Sequence, residues 1–178
     1  MVVDDKQVRC SNTALGRLAR LTMVTGVRVN RRGVLGSGDE GVDWITDQVA
    51  IGNHAEARDA DLLRQEGVRS VLSLDGSLAP ADAGRLGVAT VVAFDLIDGV
   101  GNEPGALGRA VGALEGLLRD HPPVLVHCHA GRSRSVVVVA GLLARTLAIG
   151  PAEAVARVAA RRVVCISPEF EDLLYEND

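Results

Sequence analysis

The feature that most constrains the fold is an apolar strand-like run that enters a polar loop and is followed directly by an apolar helix-like run. The first run covers residues 124–126, the loop residues 127–135, and the second run residues 136–145. A loop between a strand end and a helix start points several backbone N–H groups at one spot, and the helix N-terminus adds positive potential there. This segment therefore predicts a binding site for an anion of the size of phosphate.

Several side chains in the loop suit phosphate chemistry. A cysteine in such an anion site is favoured as the thiolate, which makes Cys128 the candidate nucleophile. Arg134 can hold two oxygens of one phosphate in a bidentate fork, and Gly131 permits a backbone angle that a side chain would obstruct. Ser133 and Ser135 carry hydroxyls that either serve the reaction or cap the following helix.

The order of these residues resembles the signature of the cysteine-dependent protein tyrosine phosphatases, and its form is similar to that of their dual-specificity branch. The likeness covers about residues 44–175, whereas the first forty or so residues have no counterpart in the family. The resemblance implies a single α/β domain, protein tyrosine phosphatase-like, with a mostly parallel central sheet flanked by helices. It also implies hydrolysis of phosphomonoesters through a phosphocysteine intermediate.

The resemblance assigns roles residue by residue. Cys128 would attack phosphorus in line, His127 would orient the loop and favour the thiolate, and Ser135 would ease departure of the thiolate. Arg134 would bind the substrate and stabilise the transition state. The substrate phosphate would be held by the loop residues His129, Ala130, Gly131, Arg132, Ser133 and Arg134.

His129 and Arg132 are expected to point outward from the loop. Cations at the rim of an anion site suit substrates with more than one phosphate, or anionic lipid headgroups. A solvated loop surface explains the same two residues equally well.

A general acid must protonate the leaving oxygen, and the family carries an aspartate about thirty residues before the cysteine. Asp98 and Asp95 both fit this spacing. If the strand that starts at residue 91 continues through Leu96, Asp95 lies within it and Asp98 begins the loop beyond its end. Loops at strand ends carry the chemistry in α/β sheets, so we predict Asp98 as the acid, with Asp95 as the alternative.

The alternation of strand-like and helix-like segments also predicts an α/β fold, with a largely parallel sheet and helices on both faces. Apolar residues recur with helical spacing after Pro104, which suits the first position of a helix. The predicted strands are residues 44–51, 68–74, 90–94 and 124–127, and the predicted helices are residues 57–65, 104–119, 133–147, 151–160 and 168–175.

The N-terminal part differs from the rest in charge. From Lys6 to Gly38 the chain carries +7 and no acidic residue, and since the net charge is −4 the remainder carries −11. We predict a basic extension and flexible hinge over residues 1–41, with a short helix at residues 13–29, and a catalytic domain over residues 42–178. The extension is a candidate contact for an anionic membrane surface, a solvated tail, or sequence upstream of a later start at Met23.

The composition of the chain bears on its cellular location and on its substrate. Three cysteines are a sparse, odd set, which favours a reducing compartment over a disulfide framework, and no signal peptide or membrane span is visible. We therefore predict a cytoplasmic location. Aromatic residues make up only 2% of the chain, which disfavours strict phosphotyrosine specificity, because aromatic side chains deepen many phosphotyrosine pockets.

The leading prediction is a dual-specificity protein phosphatase that acts on tyrosine, serine and threonine phosphates. The alternatives are a lipid or small-molecule phosphatase of the same superfamily, or a phosphate-binding module without turnover. No metal-ligand spacing, Walker loop or dinucleotide fingerprint is present, so no metal or cofactor is predicted and no nucleic-acid partner is expected. The sequence leaves the substrate and the oligomeric state open.

Overall fold

The structure is a computed structural model that describes residues 41–175 of the 178-residue chain. The basic extension and its predicted helix at residues 13–29 lie outside the described residues. The domain boundary at residue 41 therefore stays a prediction.

The described part of the chain forms one five-stranded sheet. Its strands are β1 (Asp43–Trp44), β2 (Val49–Gly52), β3 (Ser70–Ser73), β4 (Thr90–Ala93) and β5 (Val124–His127). They lie in the order β1-β2-β5-β3-β4, with β1 antiparallel to β2 and every other neighbouring pair parallel. The largely parallel sheet expected from the sequence is confirmed.

Helices cover the sheet on both faces. Within residues 41–175 they are α1 (Ala60–Glu66), α2 (Ala83–Leu86), α3 (Ala106–Asp120), α4 (Arg134–Leu147), α5 (Pro151–Ala159) and α6 (Pro168–Glu171). Side chains of α3 to α6 share one apolar cluster with the sheet, and side chains of α1 and α2 share a second cluster on the opposite face. The expectation of a sheet flanked by helices is therefore confirmed as well.

β5 is the central strand and is buried on both faces. Val124 and Val126 belong to the cluster that includes α3 and α4, whereas Leu125 belongs to the cluster that includes α1. Successive side chains of a strand point to opposite faces, so a strand with helices on both sides must be apolar at every position. This is why the run before the loop reads as continuous rather than alternating hydrophobicity.

The predicted edge strand at residues 44–51 is instead divided into β1 and β2. Thr46 Oγ1 accepts hydrogen bonds from the backbone N–H groups of Gln48 at 3.2 Å and of Val49 at 3.0 Å. A threonine hydroxyl that binds nearby backbone groups competes with strand pairing and favours a turn. The short β1 therefore folds back onto β2.

Every predicted helix differs somewhat in extent, and the helix predicted at residues 57–65 is a 3-10 turn at Glu56–Arg58 followed by α1. α3 begins at Ala106 rather than Pro104, because Gly105 adopts a left-handed conformation with a φ of 73° and forms a turn before the helix. The predicted helix at residues 168–175 is α6 followed by a single 3-10 turn at Asp172–Leu174, and it is anchored by the fully buried Phe170.

The parallel strands place their carboxyl ends at one edge of the sheet. The loops after β2, β3 and β5 therefore lie side by side there, together with the loop after β4. This edge is where an open α/β sheet binds its ligands, and all the predicted catalytic residues lie on these loops or at their ends.

Two further expectations concern the membrane and the cysteines. No helix in the described range is long and apolar enough to cross a membrane. Cys165 is disulfide-bonded, which the sparse, odd set of cysteines did not lead us to expect. Cys128 is a free, buried thiol.

Candidate active site

The loop between β5 and α4, residues 128–133, is called the phosphate loop below. Its tight bend requires glycine at position 131, where φ is +66°. A Cβ atom at this position would lie 2.5 Å from the carbonyl oxygen of Gly52 and would collide with the guanidinium of Arg162. The phosphate loop thus passes so close to its neighbours that only a hydrogen fits.

Arg162 fastens the phosphate loop from the C-terminal side of the domain. Its Nε donates a hydrogen bond to the carbonyl oxygen of Gly131 at 2.5 Å, and its Nη1 donates to the carbonyl of Ile51 at 3.0 Å and to Asp43 Oδ2 at 2.7 Å. The side chains of Arg162 and Asp43 are only 7% and 4% exposed. Removing either partner would leave a buried charge uncompensated, which is strongly destabilising.

Backbone hydrogen bonds hold the phosphate loop at further points. The N–H of His54 donates to the carbonyl of His129 at 3.0 Å, and the N–H of Cys165 donates to the carbonyl of Arg132 at 2.9 Å. The loops after β2 and α5 therefore fix the phosphate loop from two sides. Such anchoring restricts the motion of the N–H groups of the phosphate loop, as a preformed anion site requires.

Cys128 lies at the base of the phosphate loop, just before the N-terminus of α4. Its side chain is 1% exposed, and its Sγ lies 3.4 Å from the hydroxyl of Ser135, which is also buried. Ser135 lies within the first turn of α4 rather than at its cap. A hydroxyl in this position can donate to a sulfur anion, which is the contact expected of a group that helps a thiolate to leave.

Arg134 is the first residue of α4, and its guanidinium is half-buried against the neighbouring loops. Nη1 donates to the carbonyl of Leu96 at 3.0 Å and lies 3.5 Å from the carbonyl of Leu74. Nε is buried and has no hydrogen-bond partner among the described residues. Because buried donors are almost always paired, this one calls for a ligand, and a phosphate oxygen would satisfy it.

His127 ends β5 and is completely buried. Burial lowers its pKa to about 4, against the opposing attraction of Asp75. The imidazole is therefore neutral at pH 7, so it supplies no positive charge to the thiolate. The remaining sources of positive potential are the start of α4, the backbone N–H groups of the phosphate loop and Arg134.

Asp98 lies on the loop after β4 and contacts the phosphate loop directly. Its carboxylate accepts a hydrogen bond from the hydroxyl of Ser133. Asp95 lies instead beside Gly76 and pairs through its backbone with Asp75. β4 ends at Ala93, so neither aspartate lies within the strand, and the strand-end argument used to separate them is wrong. The contact with Ser133 is what now distinguishes Asp98.

The remaining predicted residues divide into two groups. His129, Ala130 and Arg132 are exposed on the outside of the phosphate loop, as expected for the first and last of them. Ser133 is buried at the N-cap position of α4, yet its hydroxyl makes no capping bond and binds Asp98 instead. The alternative role of Ser133 as a helix cap is therefore not what the structure shows.

Sequence reasoning missed the support of the phosphate loop. Neither Arg162 nor Asp43 is predicted as a functional residue from the sequence. No local pattern pairs them, because the two residues lie 119 positions apart. Only the folded chain pairs them.

Comparison with known proteins finds relatives over part of the chain. A scan against protein-family models finds no match. A search of curated proteins finds dual specificity protein phosphatase 12 of Rattus norvegicus, 35% identical over 97 residues, which are 54% of this chain and 29% of the relative. The matched region thus spans less than a third of that relative's length.

Solved structures show the same fold over a larger share of the chain. A crystal structure of human DUSP28 is 24% identical, with a TM-score of 0.66 over 77% of this chain and 93% of that one. A crystal structure of PTPMT1 in complex with PI(5)P is 25% identical, with a TM-score of 0.60 over 77% of this chain and 94% of that one.

Proposed function

We propose that this chain is a member of the dual-specificity branch of the cysteine-dependent protein tyrosine phosphatase superfamily and that it hydrolyses phosphomonoesters through a phosphocysteine intermediate. The observation that carries the proposal is the unpartnered, buried Nε of Arg134, at the start of the helix that directly follows the loop of the buried Cys128 thiol. A nucleophile beside an unsatisfied cationic donor suits a substrate that brings both phosphorus and anionic oxygens.

In the first step, the Cys128 thiolate attacks phosphorus, so that an S–P bond forms as the ester P–O bond breaks. The guanidinium of Arg134 balances the charge on the equatorial oxygens. The protonated carboxyl of Asp98 gives its proton to the leaving oxygen, which departs as an alcohol or phenol. The Ser133 hydroxyl holds Asp98 at the edge of the phosphate loop.

In the second step, water attacks the phosphorus of phosphocysteine and gives one proton to the Asp98 carboxylate. The S–P bond breaks, inorganic phosphate is released, and the thiolate returns. The Ser135 hydroxyl, 3.4 Å from Sγ, donates to the departing sulfur and so lowers this barrier. The neutral His127 serves to position the loop.

For the substrate, we propose a phosphoprotein with phosphorylated tyrosine, serine or threonine. The second candidate is a phosphoinositide or other small phosphoester. It is favoured by the exposed His129 and Arg132 at the rim and by the PTPMT1 structure with PI(5)P. Hydrolysis rates on matched phosphopeptides and soluble phosphoinositides separate the two, and a preference of more than about tenfold decides between them.

The nucleophile is tested by Cys128→Ser, with Ser135→Ala as its partner variant. A serine hydroxyl stays protonated in the same site, so Cys128→Ser should abolish hydrolysis of an aryl phosphate. Ser135→Ala should slow only the second step, so that phosphorylated protein accumulates and is detected by mass spectrometry after a rapid acid quench. Wild-type-like turnover of Cys128→Ser would remove Cys128 from the mechanism.

The acid is tested by Asp98→Asn against Asp95→Asn, each measured with a good and a poor leaving group. A nitrophenolate leaves without a proton, whereas an alkoxide does not. Asp98→Asn should therefore slow alkyl phosphates far more than nitrophenyl phosphate, and Asp95→Asn should slow neither selectively. The reverse result assigns Asp95. If neither variant shows the dependence, Asp75 and Asp82 are the next candidates.

A further inference from the structure

Three potential metal ligands meet at the edge of the sheet where the phosphate loop begins. His54 follows β2, Asp75 follows β3 and His129 follows β5, so three adjacent parallel strands each deliver one residue. One ligand atom from each lies within 4.8 Å of the other two. The imidazole rings of His54 and His129 have centroids 5.6 Å apart, and the backbones of these two residues are hydrogen-bonded to each other.

Asp75 gives this cluster an unsatisfied negative charge. Its side chain is only 6% exposed. Oδ1 accepts hydrogen bonds from the N–H of Ser77 at 3.1 Å and from the hydroxyl of Ser73 at 3.3 Å. Oδ2 is buried and has no hydrogen-bond partner within residues 41–175. A buried, charged oxygen without a partner is costly, so its environment calls for a cation or a donor.

The imidazole nitrogen beside Oδ2 is not a suitable donor. His54 Nδ1 lies 3.5 Å from Asp75 Oδ2 and 3.0 Å from Nη1 of Arg58. A guanidinium can only donate, so Nδ1 accepts from Arg58 and carries no proton. Two acceptor atoms then face each other. Their separation matches the edge of about 3.4 Å of a tetrahedron with metal–ligand bonds of about 2.1 Å.

We propose that His54, Asp75 and His129 form a binding site for a zinc-like divalent cation beside the phosphate loop. Two imidazoles and one carboxylate suit Zn²⁺ or Co²⁺ better than Mg²⁺ or Ca²⁺, which prefer oxygen ligands. His129 is exposed, so the cation can enter from solvent and keeps a coordination position for water or an anion.

Arg58 sets the strength of the site. The cation competes with Arg58 for the lone pair of His54 Nδ1, and the charge of the guanidinium opposes it. Arg58 keeps its hydrogen bonds to the hydroxyl of Ser77 at 3.1 Å and to its carbonyl at 2.5 Å when it gives up Nδ1. We therefore expect weaker binding than at a closed structural zinc site, and tighter binding in an Arg58→Gln variant.

The test uses the full chain with Cys128→Ser, which removes the thiolate as a competing ligand, and Co²⁺ as a spectroscopic probe in phosphate-free buffer. We expect one Co²⁺ per chain, with visible absorption of a four- or five-coordinate ion that added Zn²⁺ displaces. His129→Ala and His54→Ala, made separately, should each weaken binding by more than roughly tenfold. His121→Ala is the matched control, because His121 precedes β5 and so lies at the amino ends of the parallel strands, away from the proposed site. This variant should bind Co²⁺ as tightly as the parent does.

A second measurement covers the buried Asp75. In the Cys128→Ser chain, which is the parent here, Zn²⁺ should raise the melting temperature, and it should do the same in the added His121→Ala variant. It should not raise the melting temperature of the Asp75→Asn or His129→Ala variants, whose fold is checked by circular dichroism. Unchanged Co²⁺ affinity in both single histidine variants would overturn the proposal. So would an equal loss of affinity in His121→Ala. Because Cys128→Ser is inactive by design, the result does not depend on the proposed phosphatase reaction.

Discussion

Two loops meet at the candidate active site, and they are held in different ways. The phosphate loop is tied to the loops after β2 and α5, and to a buried ion pair, by bonds from outside itself. The acid loop, residues 97–105, is braced from within. The side chain of Asn102 binds the N–H and carbonyl of Ile97, both at 2.9 Å, and the carbonyl of Gly99 at 3.0 Å.

The two loops also differ in how far the side chains that they contribute are exposed to solvent. Cys128, Gly131 and Ser133 are buried, whereas Ile97 and Val100 on the acid loop are 51% and 74% exposed. We infer from this difference that the nucleophile and its anion site must be held in position before the substrate binds. A general acid, in contrast, has only to come within hydrogen-bonding distance of the leaving oxygen. Changes at the buried positions of the phosphate loop should therefore cost both stability and activity, and changes in the acid loop should cost activity alone.

The largest expected effect comes from Arg134→Lys. Lysine keeps the charge but loses the planar fork, so we expect kcat/KM to fall by an amount on the order of 3 kcal/mol in transition-state binding. Arg132→Lys is the matched control on the exposed side of the same loop, and it should change kcat/KM little. Near-normal activity of Arg134→Lys would show that bidentate recognition is not used.

The next effect is on stability as a function of pH, through His127. Its pKa is about 4 in the folded protein against an ordinary value of 6.5, because burial disfavours the charged form. The unfolded chain binds more protons between these values, so the free energy of unfolding should fall by up to about 3 kcal/mol as pH drops from 7 to 4. The ionisable groups near this ring are Asp75, His54 and Arg58.

Urea unfolding at several pH values measures this slope. His127→Gln should flatten it, and His121→Gln should keep it. Burial raises the pKa of Asp75, but the hydrogen bonds from Ser77 and the attraction of a protonated His127 outweigh it and lower the pKa to about 2, so Asp75 titrates below this window. Parallel curves for the parent and His127→Gln would show that this histidine is not the titrating group.

A smaller effect distinguishes close packing from backbone strain at Gly131. Gly131 and Gly87 have φ angles of 66° and 68°, but a Cβ at Gly87 meets nothing within 4 Å. Both alanine variants bear the same left-handed strain, so Gly131→Ala should be less stable by roughly 2 kcal/mol more, from the collision alone. If chemical denaturation shows the same loss in the free energy of unfolding for both variants, the phosphate loop can shift to accommodate a side chain at position 131.

The smallest effect is expected from Asn102→Ala in the acid loop. The three hydrogen bonds that it removes are solvent-exposed or partly so, and they hold only the loop itself. We expect the free energy of unfolding to change by no more than about 0.5 kcal/mol. Hydrolysis of an alkyl phosphate should slow by less than roughly tenfold, with nitrophenyl phosphate unaffected. A large loss of stability would contradict the contrast between the two loops.

Local pattern predicted the parts of the fold whose cause is local. β5 was predicted at residues 124–127 and has those bounds, because an uninterrupted apolar run between a proline pair and a polar loop suits only a central strand. The edge strand was divided by a single hydroxyl, that of Thr46, which no hydrophobic pattern reveals. The start of α3 moved by two residues, because Gly105 forms a turn.

The sequence also predicted the part of the site that is contiguous in the chain. Spacing alone places Cys128, Gly131 and Arg134 on or directly beside one loop, because the motif is contiguous. The proposed acid lies on another loop, after a strand that ends earlier than predicted, so the choice of Asp98 rests on its contact with Ser133. Arg162 with Asp43, and His54 with Asp75, join segments far apart in sequence, and only the sheet topology brings them together.

The grip of Arg162 on Gly131 also has a consequence for the order in which the protein comes into being. Synthesis proceeds from the N-terminus, so all five described strands and the Cys128 thiol leave the ribosome before Arg162 does. A nascent chain that ends before residue 162 can pair its strands and form the His54–His129 hydrogen bond, but it lacks the side chain that holds Gly131. The phosphate loop therefore gains its buried side-chain anchor only late in synthesis.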